Sequence, residues 1–161
     1  YRLAGEAGLG RTAHSSEHAP TAVNTITCLD LLGCDRIDHG YYVLEDDAVV
    51  ERMREDQVAF TVASTTSRRS WRPWRRASIG AMLEAGLNVI PCSDDPGMFP
   101  TTLAAEYGIV TEQIGASREQ VRRMAISSFE ASWLPAEDRA RRVAEVTREI
   151  GALDAEFALS V

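Results

Sequence analysis

Four short segments that read as strands, each ending in polar residues and each followed by a helical pattern, constrain this chain more than any other feature. Residues 11–14 run into Ser15-Ser16-Glu17-His18, and residues 36–39 into Gly40. Residues 58–63 precede a polar stretch, 64–73, and residues 87–92 run into Ser93-Asp94-Asp95-Pro96. Strands separated by helices pair in parallel, because only a crossover connection can return the chain to the same end of a sheet. The expected class is therefore α/β. Pro91, inside the fourth segment, suggests an irregular or bulged position there.

The intervening segments read as helices. Residues 20–32 place Ala22, Ile26, Leu29 and Val23 on one apolar face, with Gly33 as the stop. Glu45-Asp46-Asp47 opens a second helix at the end where carboxylates suit the dipole, and Val49, Val50 and Met53 form its buried side. Residues 77–85 form a third, closed by Gly86, and the polar stretch 64–73 before it reads as a loop. After Thr101 three helical segments follow. Ser117 and Gln120 make a capping box ahead of Val121, Met124, Ala125 and Phe129, and Pro135 starts the last helix. The first eight residues read as the end of a helix stopped by Gly8 or Gly10, so the chain is expected to be part of a longer protein. No repeat or interdomain linker is visible, and residues 1–161 are expected to form a single partial domain.

Composition narrows the function classes. The 161 residues carry a net charge of -7, which argues against a basic nucleic-acid-binding face. Three cysteines with no C-x-x-C pair do not read as a disulfide framework, and a reducing cytoplasm is the expected compartment. Cys28, Cys34 and Cys92 read as small core residues. No apolar run is long enough for a membrane span, and the opening residues do not resemble a signal peptide. All 17 basic residues are arginine, for which the sequence suggests no mechanism.

The residues able to do chemistry fall at the strand ends: His14 and Glu17, His39, Thr65, and Asp94 with Asp95. In a parallel barrel those ends share one rim, and a doubly wound sheet also binds ligands there. Periodicity alone does not separate half a barrel from a complete small sheet. An imidazole can ligate a metal and a nearby carboxylate can move protons, so His14-x-x-Glu17 could be a catalytic pair. Glu17 could equally cap the next helix. His39 could orient or deprotonate a metal-activated water, or be a core histidine bonded to backbone. Asp38 should point to the face opposite His39, or belong to the rim if the strand has already ended there. Adjacent Asp94 and Asp95 repel each other unless a cation or a ligand donor compensates, although Asp before proline also suits a helix cap. His18 reads as surface. The arginine and tryptophan run from Arg68 to Arg76 could hold a phosphate or carboxylate, but a solvated loop or an interface is the plainer reading.

Taken in order, these pieces resemble the adenosine and adenine deaminase family of amidohydrolases. His14-Ser15-Ser16-Glu17 stands where the family has His-Ala-Gly-Glu. Arg36-Ile37-Asp38-His39-Gly40 and Ser93-Asp94-Asp95-Pro96-Gly97-Met98-Phe99 match two further motifs, and residues 103–107 and 128–134 resemble the helices that follow. The resemblance implies a TIM-type (β/α)8 barrel of which this chain supplies the C-terminal half, strands five to eight, plus C-terminal helices. It also implies one catalytic Zn2+, with His14 and Asp94 as ligands and Asp94 also accepting the water proton. Glu17 would give a proton to purine N1, and His39 would position the attacking water. Ser16 and Asp95 would meet the substrate, Asp95 at N7. The reaction implied is hydrolytic loss of the 6-amino group of adenine or adenosine as ammonia. Adenine is favoured because Asp38 resembles the adenine-specific branch.

The chain also departs from the family. The His-x-His pair of the family's first strand is absent, so the fragment alone is expected to bind zinc poorly and to be inactive. Ser16 replaces a glycine, and a side chain there could crowd the ring. Ser64-Thr65-Thr66-Ser67 differs from the family's usual sequence. A non-catalytic binding relative, or an amidohydrolase acting on another aminated ring, are the alternatives. A second class of zinc deaminase needs P-C-x-x-C; Pro91-Cys92 has no second cysteine, which excludes it. The expected partner is a small purine, with neither nucleic acid nor membrane.

Overall fold

A computed structural model describes residues 1–66 and 69–158. Helix α1 (Arg2–Glu6) ends at Gly8, whose φ of 69° breaks the helix. Strand β1 (Thr12–Ser15) leads to α2 (Val23–Ile26), which continues as a π-helical turn over Thr27–Leu31. Strand β2 (Arg36–His39) and a 3-10 turn precede α3 (Asp47–Glu55). Strand β3 (Ala59–Val62), α4 (Arg72–Glu84) and β4 (Asn88–Pro91) follow. Helices α5 (Leu103–Ile109), α6 (Arg118–Glu130) and α7 (Ala136–Ala158) complete the described chain.

The four strands are parallel and lie in sequential order, β1-β2-β3-β4. A doubly wound sheet reverses its order at a switch point; this sheet keeps winding one way, as a barrel does. The α/β class and the half-barrel arrangement therefore stand. Ala13, Ile37, Phe60 and Val89 are in register across the sheet. This row packs into one core with Cys28, Met53, Ile79 and Met82 from the connecting helices. The opposite row is His14, Asp38, Thr61 and Ile90, so the period of two sends the polar residues to the concave side.

Several expectations need correction. Helix α4 starts at Arg72, with Pro73 in its first turn, so the stretch read as loop is partly helical. Ser67 and Arg68 lie outside the described residues. Val23 is exposed, and its helix buries Ala22, Thr25 and Cys28. Pro91 causes no bulge. Cys92 N–H donates to the Val62 carbonyl at 2.8 Å, so the proline nitrogen faces away from β3, where no ladder bond is lost. The Ser117–Gln120 capping box is formed in both directions. No described helix is long and apolar enough to cross a membrane.

Candidate active site

The strand ends are level, and that places the polar residues together. Ser15 pairs with His39, and Gly40 N–H donates to the Ser15 carbonyl at 2.9 Å. A regular strand would turn His39 to the helix side, as it does Ser15, whose Oγ lies 3.4 Å from Thr25 Oγ1. Instead His39 adopts φ 73°, and its ring packs 4.8 Å from that of His14. Gly40 follows at φ 76°, and a Cβ there would lie 2.4 Å from the Phe60 ring, so only glycine fits the turn. Among the described residues four non-glycines have positive φ, and Ser16, His39 and Asp94 are three of them. Such conformations concentrate where the surrounding structure holds a functional group in place.

A cavity of about 520 Å³ opens at this rim, lined among others by His14, Glu17, His39, Asp94 and Asp95. Ligand atoms of His14, His39 and Asp94 lie within 4.8 Å of one another. Two imidazoles and a carboxylate are donors that zinc favours, and this spacing suits one shared ion. The geometry thus brings His39 beside the two ligands expected from sequence. Burial pushes the His39 imidazole below its ordinary pKa, although the Glu17 and Asp94 carboxylates oppose the shift. A neutral imidazole can accept a proton or bind a metal. Its Nδ1 lies 3.4 Å from the Tyr41 hydroxyl, which donates to the Ala63 carbonyl at 3.0 Å.

The plainer readings of the carboxylates do not hold. No side chain caps α2, so Glu17 is not a helix cap. Glu17 meets His18 Nε2 at 3.2 Å, His39 Nε2 at 3.7 Å and the Arg75 guanidinium. Asp94 and Asp95 are not caps either. Residues 94–99 turn, with Met98 and Phe99 N–H donating to the Asp95 carbonyl, and α5 is capped by Thr102. Asp38 does not point away from the site. Its Oδ2 lies 4.0 Å from His14 Nδ1, and its Oδ1 accepts from Thr61 at 2.6 Å. His18 is exposed, but it lines the cavity edge-on to Trp71.

Ser16 is buried, and its Oγ donates to the Thr21 carbonyl at 2.7 Å, turned into the β1–α2 packing and not into the cavity. Left-handed backbone costs a non-glycine residue about 1–2 kcal/mol, and one such hydrogen bond returns about 0.5–1.5 kcal/mol. Ser16→Gly should therefore change stability by about 1 kcal/mol or less in urea unfolding. It should leave the KM of the full gene product nearly unchanged. A large KM change would mean that the hydroxyl meets the substrate.

Two buried charges escaped the sequence reading. Arg75 is 1% exposed, inside a run read as solvated. Glu106, also 1% exposed, accepts from Ser64 N–H at 2.8 Å, Ser64 Oγ at 2.5 Å, Thr101 Oγ1 at 2.8 Å and Thr65 Oγ1. It ties the segment after β3, where Thr66 lines the cavity, to the segment after Asp94 and Asp95. An acidic residue in the first turn of a helix gave no signal of this. Glu106→Ala would strand the Ser64 N–H, which cannot rotate to another acceptor. A loss of about 2–4 kcal/mol in urea unfolding is expected. The cysteines are free; Cys28 and Cys34 lie in the core, and burial pushes the Cys92 thiol up to about 11, so it stays protonated.

Known proteins share this fold. An adenine deaminase from Streptomyces coelicolor is 37% identical over 150 residues, 91% of this chain and 44% of that protein. One from Cupriavidus necator is 35% identical over 148 residues, 91% of this chain and 42% of the relative. The crystal structure of adenine deaminase from Arthrobacter aurescens superposes with a TM-score of 0.81 at 31% identity, covering 94% of this chain and 46% of that one. An amidohydrolase from Burkholderia ambifaria with bound zinc gives 0.88 at 25% identity, covering 99% of this chain and 45% of that one. The chain thus spans less than half the length of these relatives. The adenosine deaminase family profile matches residues 1–149, nearly the whole chain, and the three strand-end motifs fall inside the match: the chain belongs to the adenosine deaminase family.

Proposed function

We propose that the full gene product removes the 6-amino group of adenine by hydrolysis, with adenosine as the second substrate to test. The observation that carries this reading is the convergence of His14, His39, Asp94, Asp95 and Glu17 on one cavity at the carboxyl ends of a parallel sheet. Relatives named adenine deaminase match over 91% of this chain.

His14 and Asp94 would hold a zinc ion, with His39 beside it. When bound, the metal supplies a water that ionises near neutral pH. His39 and Asp94 accept the proton of the water that adds to C6. Glu17 delivers a proton at N1, so charge does not build on the ring as the C6–O bond forms. Asp95 holds the N7 edge. The C6–N bond then breaks, ammonia leaves with the proton taken from the water, and the C6 hydroxyl proton returns to Glu17 as the 6-oxopurine forms. Residues 1–161 alone are expected to be inactive, since His14 and Asp94 fall short of the three ligands of a catalytic zinc site. The free cysteines fit a reducing compartment, and the cytoplasm is the proposed location.

The test is ammonia release from adenine and from adenosine by the zinc-loaded full gene product. Turnover of adenine at least tenfold above adenosine is expected. A zinc-loaded protein releasing ammonia from neither would leave the non-catalytic alternative, and turnover of another aminated ring alone would replace the substrate.

A further inference from the structure

Arg75 is the strongest feature the proposed chemistry does not use. It lies in the first turns of α4, a helix fixed in the core through Ile79 and Met82. Its guanidinium sits 5.1 Å from the centre of the Tyr41 ring and donates through Nη2 to Glu17 Oε1. Nε and Nη1 are buried with no hydrogen-bond partner among the described residues. A buried guanidinium with two idle nitrogens is costly, and its one ionic bond goes to the proposed proton donor.

Glu17 itself is weakly anchored. It follows β1 in a segment that is neither strand nor helix. Its other contacts are His18, whose side chain is 57% exposed, and His39 at 3.7 Å, too long for a hydrogen bond. Arg75 and His18 both engage Oε1, which leaves Oε2 toward His39. We infer that Arg75 is a positioning residue: it clamps one oxygen of Glu17 to a rigid helix so that the other stays turned toward the reacting edge of the substrate. This inference rests on the proposed role of Glu17 as proton donor. Arg75 borders the cavity but is 1% exposed, and in this scheme it acts through Glu17.

The test uses the zinc-loaded full gene product and Arg75→Met, whose unbranched side chain still covers the Tyr41 ring. In its crystal structure Glu17 Oε2 should leave its place beside His39. For adenine, kcat should fall about 10- to 100-fold, the effect of misplacing a reacting group by about 1 Å, with KM changed less than about threefold. In the Glu17→Gln background the same substitution should cause no further loss, because the residue through which Arg75 acts is already disabled. Arg75→Lys should recover part of kcat. Arg75→Gln, which keeps a polar head, supplies the same readouts should the methionine variant fold poorly. A kcat within twofold of wild type, full additivity with Glu17→Gln, or an unmoved Glu17 would overturn the inference. A wild-type protein that does not deaminate adenine would defeat the proposed substrate instead, and the position of Glu17 in the variant crystal would still decide the role of Arg75.

Discussion

Glu17→Gln in the full gene product should lower adenine turnover by about 10²- to 10⁴-fold while zinc stays bound. Glutamine keeps the size and the carbonyl oxygen of glutamate but has no proton to deliver at N1. Glu17 is not among the residues whose ligand atoms cluster for a metal, so the metal should not be lost. The substitution has a second consequence. It removes the negative charge that faces the Arg75 guanidinium. Losing one partner of a fully buried pair costs about 3–5 kcal/mol. Glu17 is 17% exposed and His18 lies beside it, so the penalty here should fall below that range. Zinc content and the urea midpoint therefore have to be measured with turnover. Lost turnover in a folded, zinc-loaded variant assigns proton delivery to Glu17. Near-normal deamination would mean that the carboxylate only balances Arg75, and the mechanism would be wrong.

His14→Ala should lose zinc and activity together. The His14 side chain is 66% exposed, and its neighbours are the His39 ring and Asp38 at 4.0 Å, so its removal empties little of the core. The metal-free variant should unfold at nearly the urea concentration of the metal-free wild type. Metal affinity should fall by more than the about 10- to 100-fold that loss of an outer partner of a metal ligand costs, because a direct ligand is removed. The two variants separate the roles proposed for the two ends of one four-residue motif: one keeps the metal and loses the chemistry, the other loses both. Stoichiometric zinc retained by His14→Ala after dialysis would remove His14 from the site.

Local sequence determined much of this architecture. Arg36–His39 has the strand bounds its pattern predicts, since Ile37 must face the helices and Gly40 must turn the chain. Ser117 and Gln120 cap α6 as their spacing requires. The strand-end positions of His14, Glu17, His39, Asp94 and Asp95 were legible because strand termini are written in residues a few places apart. Distant partners decided the rest. Whether His39 faced the core or the rim depended on a backbone twist at φ 73°, which histidine as a residue type does not specify. Asp38 faces His14 by strand register alone, and it is the twist at His39 that puts both side chains on one side of the sheet. Arg75 reads as solvated among Trp71, Arg72, Trp74 and Arg76, and only the gathering of the strand ends at one rim brings it a carboxylate 58 residues away. Glu106 likewise finds its donors at Ser64 and Thr65, some forty residues earlier. Periodicity records which face of an element is apolar, because burial of that face is a local requirement. It carries no record of which buried charge meets which, because that pairing exists only once the strands have taken their order in the sheet.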